Sequence, residues 1–177
     1  MLDVIYYDLD GVLADFVTPA LALHDRLDLL EPGRWPKGRY SMEDALGISK
    51  EAFWRPIHNT GHIFWSLMPA YDWMFELLEV ARAKAKRVAI ISKPSEHPSS
   101  SFGKHIWINK YFGETFQDFS LTAMKADSAR PGRLLIDDFD KNCDEWTAAG
   151  GEALLFPQQW NRGEGNINTI LDKLKSL

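Results

Sequence analysis

The sequence predicts an α/β fold in which a mostly parallel sheet is covered on both faces by helices. Short apolar runs of strand length alternate with amphipathic runs of helix length along most of the 177 residues. This alternation is typical of βαβ units, whose crossover helices bury both faces of a parallel sheet. The chain length suits one domain, or one domain with an inserted cap, and 45% apolar residues can form a sizeable core.

Five segments have the short, apolar, β-branched or aromatic composition of buried strands. They are residues 2–7, 86–92, 115–121, 132–138 and 152–156. Helices are predicted where apolar residues recur at helical spacing, with Pro19 placed to kink the first of them. These segments are 14–30, 71–85, 102–112, 140–149 and 166–177, with shorter helices or turns at 42–56 and 57–68. Residues 31–41 and 93–101 are predicted as loops because they are rich in Pro, Gly and polar residues.

The stretch between the first two strands is too long for a simple crossover connection. We therefore predict that residues 17–78 form a small helical cap, and that residues 1–16 and 79–177 form the core. A cap over a reaction centre excludes water and contacts the substrate.

Polar side chains end three of the predicted strands. Asp8 and Asp10 follow the first strand, Ser92 ends the second, and Asp137 and Asp138 end the fourth. Parallel sheets bind ligands beyond the carboxyl ends of their strands, so we expect these side chains to converge.

A crevice with several carboxylates is unfavourable unless a cation compensates their charge. An all-oxygen set suits Mg²⁺, which also binds substrate phosphate oxygens. One carboxylate, Asp8, can attack phosphorus to form an aspartyl-phosphate. Asp10 lies two residues further on, where it can protonate the leaving oxygen and then activate water. These residues predict Mg²⁺-dependent phosphoryl transfer.

Four segments in order resemble the motifs of the haloacid-dehalogenase (HAD) superfamily of phosphohydrolases. They are "DLDGVLADF", "VAIIS", the lysine at Lys125 and "LLIDD". Within the superfamily the chain most resembles the 5'(3')-deoxyribonucleotidases, on "DGVLADF", "GKHIWINKYFG" and the order Trp146, "AAGG", "LLF", Asn161. The resemblance implies a three-layer, Rossmann-like core with a parallel sheet and a small inserted α-helical cap.

The resemblance also implies roles for individual residues. Asp8 would be the nucleophile and Asp10 the acid–base group. Four aspartates would form the metal site, with Asp138 favoured over Asp137 as the direct ligand and Asp10 acting through its backbone: Asp8, Asp10, Asp137 and Asp138. Four polar side chains would contact the phosphate: Ser92, Lys93, Lys104 and Lys125. Phe16 and Trp65 would stack on the base.

The expected activity is Mg²⁺-dependent hydrolysis of (deoxy)nucleoside monophosphates. A phosphatase for another small ester, such as a sugar phosphate, is the nearest alternative, since aromatic rings stack on sugars too. A receiver-type signalling module also joins acids, Ser or Thr and Lys around Mg²⁺. In such a module, however, the acidic pair ends the first strand and the phosphorylated Asp comes later, whereas here the order is reversed: Asp8 follows the first strand and the pair Asp137–Asp138 comes later. A dehalogenase needs neither Asp10 nor a metal.

Charge and composition limit the remaining functions. The net charge of −5 argues against a nucleic acid polymer or a membrane surface as partner. A lone cysteine, Cys143, forms no intrachain disulfide, and neither a signal peptide nor a spanning segment is recognised, so a cytoplasmic location is expected. A homodimer is compatible with the sequence.

His58 and His62 have the spacing of a metal pair, but Gly61 weakens the helix needed to align them, so no metal role is expected.

Overall fold

The computed structural model describes residues 1–36 and 39–177 and contains a five-stranded parallel sheet. The strands β1 to β5 are, in chain order, Leu2–Tyr7, Ala85–Ser92, Phe119–Leu121, Arg133–Asp137 and Glu152–Leu155. Their spatial order is β3-β2-β1-β4-β5, so β1 is the central strand. The chain moves outward from β1 to β3 and then returns to the other side of β1. The carboxyl end of β1 therefore lies at the topological switch point, where a crevice forms in such sheets.

The predicted α/β fold and its five strands are confirmed. The third strand is shorter than the predicted 115–121, because β3 pairs only with the end of β2, from Ile90 opposite Phe119 to Ser92 opposite Leu121. As an edge strand, β3 has a single neighbour to hold it.

Eight α-helices lie in the described part of the chain, numbered α1 to α8 in chain order. They are Val17–Ala22, Met42–Leu46, Lys50–Thr60, His62–Ser66, Met74–Lys84, Pro98–Phe112, Asp140–Ala148 and Ile167–Ser176. Two 3₁₀ turns, Leu27–Leu30 and Lys125–Ser128, complete the regular structure. Residues 37 and 38, within the predicted loop 31–41 and the predicted cap, lie outside the described residues.

The predicted helix over 14–30 is wrong in its extent. The α-helix ends at Ala22, and Asp25 takes a left-handed backbone conformation with φ 53° that a continuing helix does not tolerate. The sixth helix starts earlier than the predicted 102. The Pro98 ring suits the first helical position, and the His97 side chain accepts the Ser99 N–H at 3.3 Å.

Helix α5 runs through the predicted boundary between residues 78 and 79. Its residues Leu77, Leu78 and Ala81 are all buried and form one apolar face. That face packs towards β2 and α8. The whole of α5 therefore belongs with the layer that covers the sheet.

The sheet has buried apolar residues on both faces, as a three-layer fold requires. Successive strand residues point to opposite faces, so Ile5 and Tyr7 join the larger core while Tyr6 packs with the smaller one. Trp146 from α7 closes the smaller face, with its ring centroid 5.3 Å from that of Tyr6. None of the helices in the described ranges is long and apolar enough to cross a membrane.

Candidate active site

Asp8 lies directly beyond β1 and is almost completely buried, at 7% exposure. Its backbone N–H still bonds to Ile136 O of β4, so the residue is held at the sheet edge. Its Oδ1 accepts the Leu9 N–H at 2.7 Å, and its Oδ2 lies 2.8 Å from Lys125 Nζ. The side chain remains part of the lining of a cavity above the sheet.

The loop after Asp8 turns sharply at Gly11, which has φ 78°. A side chain there would be strained, and its Cβ would overlap the Asp138 carboxylate. Gln158 Nε2 donates to the Gly11 carbonyl at 2.6 Å and ties the turn to the segment after β5. The glycine thus allows the first loop to approach the acids at the end of β4.

Lys125 forms ion pairs with two of the predicted site acids. Its Nζ lies 2.8 Å from Asp8 Oδ2 and 2.7 Å from Asp137 Oδ2. Burial alone would lower the pKa of this lysine, but Asp8 and Asp137 outweigh burial and raise its pKa above the usual value. Lys125 is therefore a fixed positive charge beside Asp8.

Three carboxylates, those of Asp8, Asp137 and Asp138, offer oxygen atoms within 4.8 Å of one another. Burial, and then the Asp8 charge, raises the pKa of Asp137 to about 6. Burial, and then Asp137 and Asp8, raises the pKa of Asp138 above its usual value. Carboxylate oxygens are the ligands that Mg²⁺ prefers, and a cation here would relieve their repulsion. The residues fit the expected metal.

The two acids at the end of β4 have different surroundings. Asp137 accepts hydrogen bonds from Lys125 Nζ, from the Phe139 N–H at 2.9 Å and from Asn142 Nδ2 at 3.0 and 3.1 Å. Asp138 accepts one from Trp160 Nε1 at 2.7 Å on Oδ2. Both oxygens of Asp137 thus accept hydrogen bonds from the protein, whereas Asp138 keeps more acceptor capacity for a metal.

Asp10 faces the same cavity and pairs with a second buried lysine. Its Oδ2 lies 2.6 Å from Lys104 Nζ, and its Oδ1 has no hydrogen-bond partner within residues 1–36 and 39–177. Burial raises the pKa of Asp10, and Lys104 opposes that shift. Ser92 accepts from the same ammonium at 3.0 Å, and Lys93 is exposed on the cavity rim.

The cavity above these residues has a volume of about 600 Å³. Its lining combines the charged set at the strand ends with an aromatic wall. The aromatic wall comes mostly from residues between β1 and α5: Phe16, Trp35, Tyr40, Phe53, Trp54 and Trp65.

The two rings singled out in the sequence lie against each other. The centroids of Phe16 and Trp65 are 5.4 Å apart with 23° between the ring planes. Trp65 is 1% exposed, so its ring acts chiefly as core, while Phe16 is half-buried. Trp54, also half-buried and 6.1 Å from Phe16 between centroids, is a further ring at the cavity that the sequence reasoning missed.

Two other site residues were missed, Asn142 and Trp160. Asn142 lies five residues after Asp137 on α7, and this spacing was the only sequence signal for its contact. Trp160 lies beside Asn161, which was noted only for the resemblance, and its bond to Asp138 spans 22 positions.

Several other conspicuous residues have structural surroundings. Asp15 Oδ1 accepts the Thr18 N–H at 2.9 Å and so supports the start of α1. The imidazole of His58 stacks on that of His97, with 4.7 Å between the ring centroids. Cys143 is buried, and burial raises the pKa of its thiol, which argues against a nucleophilic role.

Comparison of the sequence with protein-family models and with curated proteins finds no match. Solved structures do match along nearly the whole chain. A predicted phosphatase from Clostridium acetobutylicum has 14% identity and a TM-score of 0.60, and each chain covers 100% of the other. A HAD family hydrolase from Deinococcus radiodurans R1, with bound phosphate and sodium, has 18% identity and a TM-score of 0.56, covering 98% of this chain and 88% of that one.

A third structure of the same fold is a CbbY mutant from Rhodobacter sphaeroides in complex with xylulose-(1,5)bisphosphate. It has 12% identity and a TM-score of 0.55, and the match covers 94% of this chain and 91% of that one. At such identities the likeness concerns the fold. The chain has the fold of the HAD-superfamily hydrolases.

Proposed function

We propose that this protein is a phosphomonoesterase that hydrolyses (deoxy)nucleoside monophosphates through a phosphoryl group on Asp8. The observation that carries the proposal is the placement of Asp8. Its carboxylate lines the cavity beside the Lys125 ammonium, at 2.8 Å, and Asp10 faces the same space two residues later. A nucleophile, a fixed cation and an acid–base group are therefore in one crevice.

The first step forms the phosphoenzyme. An Asp8 carboxylate oxygen attacks phosphorus, and the bond between phosphorus and the nucleoside oxygen breaks. Protonated Asp10 gives its proton to that leaving oxygen, so the nucleoside departs as a neutral alcohol. Burial raises the pKa of Asp10, which favours the protonated form that this step requires.

The second step returns the enzyme to its starting state. The Asp10 carboxylate, now ionised, takes a proton from a water molecule as that water attacks phosphorus. The bond between phosphorus and the Asp8 oxygen breaks, which releases inorganic phosphate and restores the Asp8 carboxylate. Lys125 offsets negative charge on the transferring group in both steps.

Asp8, Asp138 and the backbone carbonyl of Asp10 would hold Mg²⁺, which supplies positive charge that stabilises the phosphoryl oxygens. Asp137 keeps Lys125 in place through the 2.7 Å contact with its Nζ. The metal role of Asp137 would then be indirect.

The aromatic wall supports a nucleoside as the leaving group. Phe16 and Trp54 are half-buried rings that line the same cavity as the acids. Stacking of a base on an aromatic ring contributes about 1–3 kcal/mol and tolerates different bases. A sugar phosphate is the second candidate, favoured by the sugar bisphosphate in the CbbY structure of the same fold.

A substrate panel tests the proposal. We would measure phosphate release with Mg²⁺ from deoxyribonucleoside and ribonucleoside monophosphates, with 5' and 3' phosphates, and from sugar phosphates. The expected result is the highest kcat/KM on a nucleoside monophosphate and no turnover by Asp8→Asn. A sugar phosphate that exceeds dTMP and dUMP by a wide margin would overturn the substrate assignment. Activity retained by Asp8→Asn would overturn the mechanism.

A further inference from the structure

We infer that Lys104 is a positioning residue for Asp10 and Ser92, and that it does not contact the substrate phosphate. This inference rests on the proposed function and revises the role that the sequence resemblance implies for Lys104. It is carried by the number of hydrogen bonds that the ammonium group makes and by its burial.

A lysine ammonium has three N–H donors and no acceptor. Lys104 Nζ has three acceptors within hydrogen-bond distance: Asp10 Oδ2 at 2.6 Å, Lys93 O at 2.9 Å and Ser92 Oγ at 3.0 Å. The residue is 0% exposed. Every N–H of Lys104 is therefore used inside the protein, and a phosphate contact would require one of these bonds to break.

Lys125 provides the comparison within the same site. Its Nζ has two acceptors among the described residues, Asp8 Oδ2 and Asp137 Oδ2. One N–H is left for a phosphoryl oxygen next to the nucleophile. Lys93 is exposed at the rim and is free to approach the substrate from outside. Lys125 and Lys93 are therefore the lysines whose N–H groups can serve a phosphate in the cavity.

The bonds of Lys104 hold three separate segments in register. The lysine projects from α6 and joins the loop after β1, through Asp10, to the end of β2, through Ser92 and Lys93. Asp10 Oδ2 is occupied in this way, and Oδ1 is left without a partner in the described ranges. Lys104 thus fixes the orientation of the Asp10 carboxylate at the cavity, through the 2.6 Å contact with its Oδ2.

The position of α6 depends in turn on the cap. Gly103 lies where α6 crosses α4, and a Cβ at that position would be 2.5 Å from both His62 O and Trp65 Cβ. The Lys104 ammonium lies 5.2 Å from the centroid of the Trp65 ring, which belongs to α4. The close contact between α4 and α6 therefore sets the position of α6 that places the Lys104 ammonium within hydrogen-bond distance of Asp10.

The test is a double-mutant cycle between Lys104→Met and Asp10→Asn, with kcat/KM measured on two esters. A nucleoside monophosphate has a poor leaving group that needs a general acid, whereas p-nitrophenyl phosphate has a good one. For Lys104→Met we expect a loss of about 100-fold on the nucleotide and about tenfold or less on the aryl ester. For Lys104→Met in the Asp10→Asn background we expect no further loss, because residues that act through one another are not additive.

Binding of inorganic phosphate, measured by calorimetry with Mg²⁺, gives a readout that a merely structural role would not change. In Asp10→Asn the Lys104 ammonium keeps Ser92 Oγ and Lys93 O as acceptors, and the double variant carries neither charge of the pair, so these two proteins can be compared even if Lys104→Met alone does not fold. Equal phosphate affinity in the two supports the inference. A tenfold weaker affinity in the double variant, or fully additive losses of kcat/KM, overturns it. A wild-type protein with no activity on any ester would instead refute the proposed function.

Discussion

Asp10 and Asp15 are five residues apart in one loop, but the structure gives their carboxylates different surroundings. Asp10 lines the cavity and pairs with Lys104, whereas Asp15 supports the start of α1 through the Thr18 N–H. We predict that Asp10→Asn lowers kcat at least about 100-fold with normal folding, as expected for loss of a general acid–base group.

Asp15→Asn is the matched control for that prediction. Asparagine also accepts a hydrogen bond from the first turn of a helix, so activity and stability should both stay close to wild type. Circular dichroism and phosphate release on the two variants check the expectation. Wild-type turnover by Asp10→Asn would remove Asp10 from the mechanism.

Gly11 and Gly33 share a φ of 78° but differ in their neighbours. A Cβ on Gly11 would overlap the Asp138 carboxylate, whereas a Cβ on Gly33 has no described atom within 4 Å. Both Gly→Ala variants should lose about 1 kcal/mol from backbone strain. Only Gly11→Ala should also lose at least about tenfold in kcat/KM, because it displaces an acid of the metal site. Equal activity of the two variants would contradict this account.

At the level of helices, the crossing of α4 and α6 depends on the absence of a side chain at Gly103. We predict that Gly103→Ala destabilises the protein by about 1–3 kcal/mol, the usual cost of overpacking, and weakens nucleotide hydrolysis. Ser101→Ala, on the same helix and only half-buried, is the control and should change stability by about 0.5 kcal/mol or less. Urea unfolding of both variants measures the difference.

Helix α3 contacts the loop before α6 through two stacked imidazoles, His58 and His97, and through an ion pair of Lys50 with Glu96 at 3.0 Å. Burial, and then the charge of His97, lowers the pKa of His58, while Glu96 opposes the shift. Below about pH 6.5, the ordinary histidine pKa, the unfolded chain then binds more protons at this position than the folded protein.

The free energy of unfolding should therefore fall as the pH falls through about 6.5, and part of that fall should depend on His58. His58→Gln removes this titration, so its stability should decline less than that of wild type over the same interval. Urea unfolding at several pH values compares the two slopes. Parallel slopes would show that His58 titrates alike in the folded and unfolded states.

For the molecule as a whole, the three clustered carboxylates of Asp8, Asp137 and Asp138 repel one another, and Lys125 pairs with only two of them. We predict that Mg²⁺ raises the melting temperature of wild type. At a Mg²⁺ concentration a hundredfold above Kd, the free energy of unfolding should increase by about 2.7 kcal/mol. Asp138→Asn should be more stable than wild type in a chelator and should gain little from Mg²⁺. Thermal unfolding with EDTA and with Mg²⁺ provides the measurement. An unchanged melting temperature of wild type at millimolar Mg²⁺ would contradict the metal site.

Local patterns were sufficient to predict most elements of the fold. The carboxyl-terminal parts of β1, β2 and β4 lie between the two helical layers, so their sequences are short apolar runs followed by a polar residue at the strand end. The helix predicted over 14–30 failed because apolar periodicity continues past Ala22, while the backbone at Asp25 does not. Periodicity reports which residues prefer burial and not whether the backbone between them stays helical.

The sequence by itself determined the order of strands and helices and the clustering of acids at strand ends, because both follow from short-range composition and from parallel topology. Only the tertiary structure decided which lysine serves which acid. Lys104 and Lys125 are the same residue type, and local sequence does not distinguish their partners. The Lys104 ammonium pairs with Asp10, whereas the Lys125 ammonium pairs with Asp8 and Asp137. The partners of each come from segments far apart in the chain, so only packing brings them within hydrogen-bond distance.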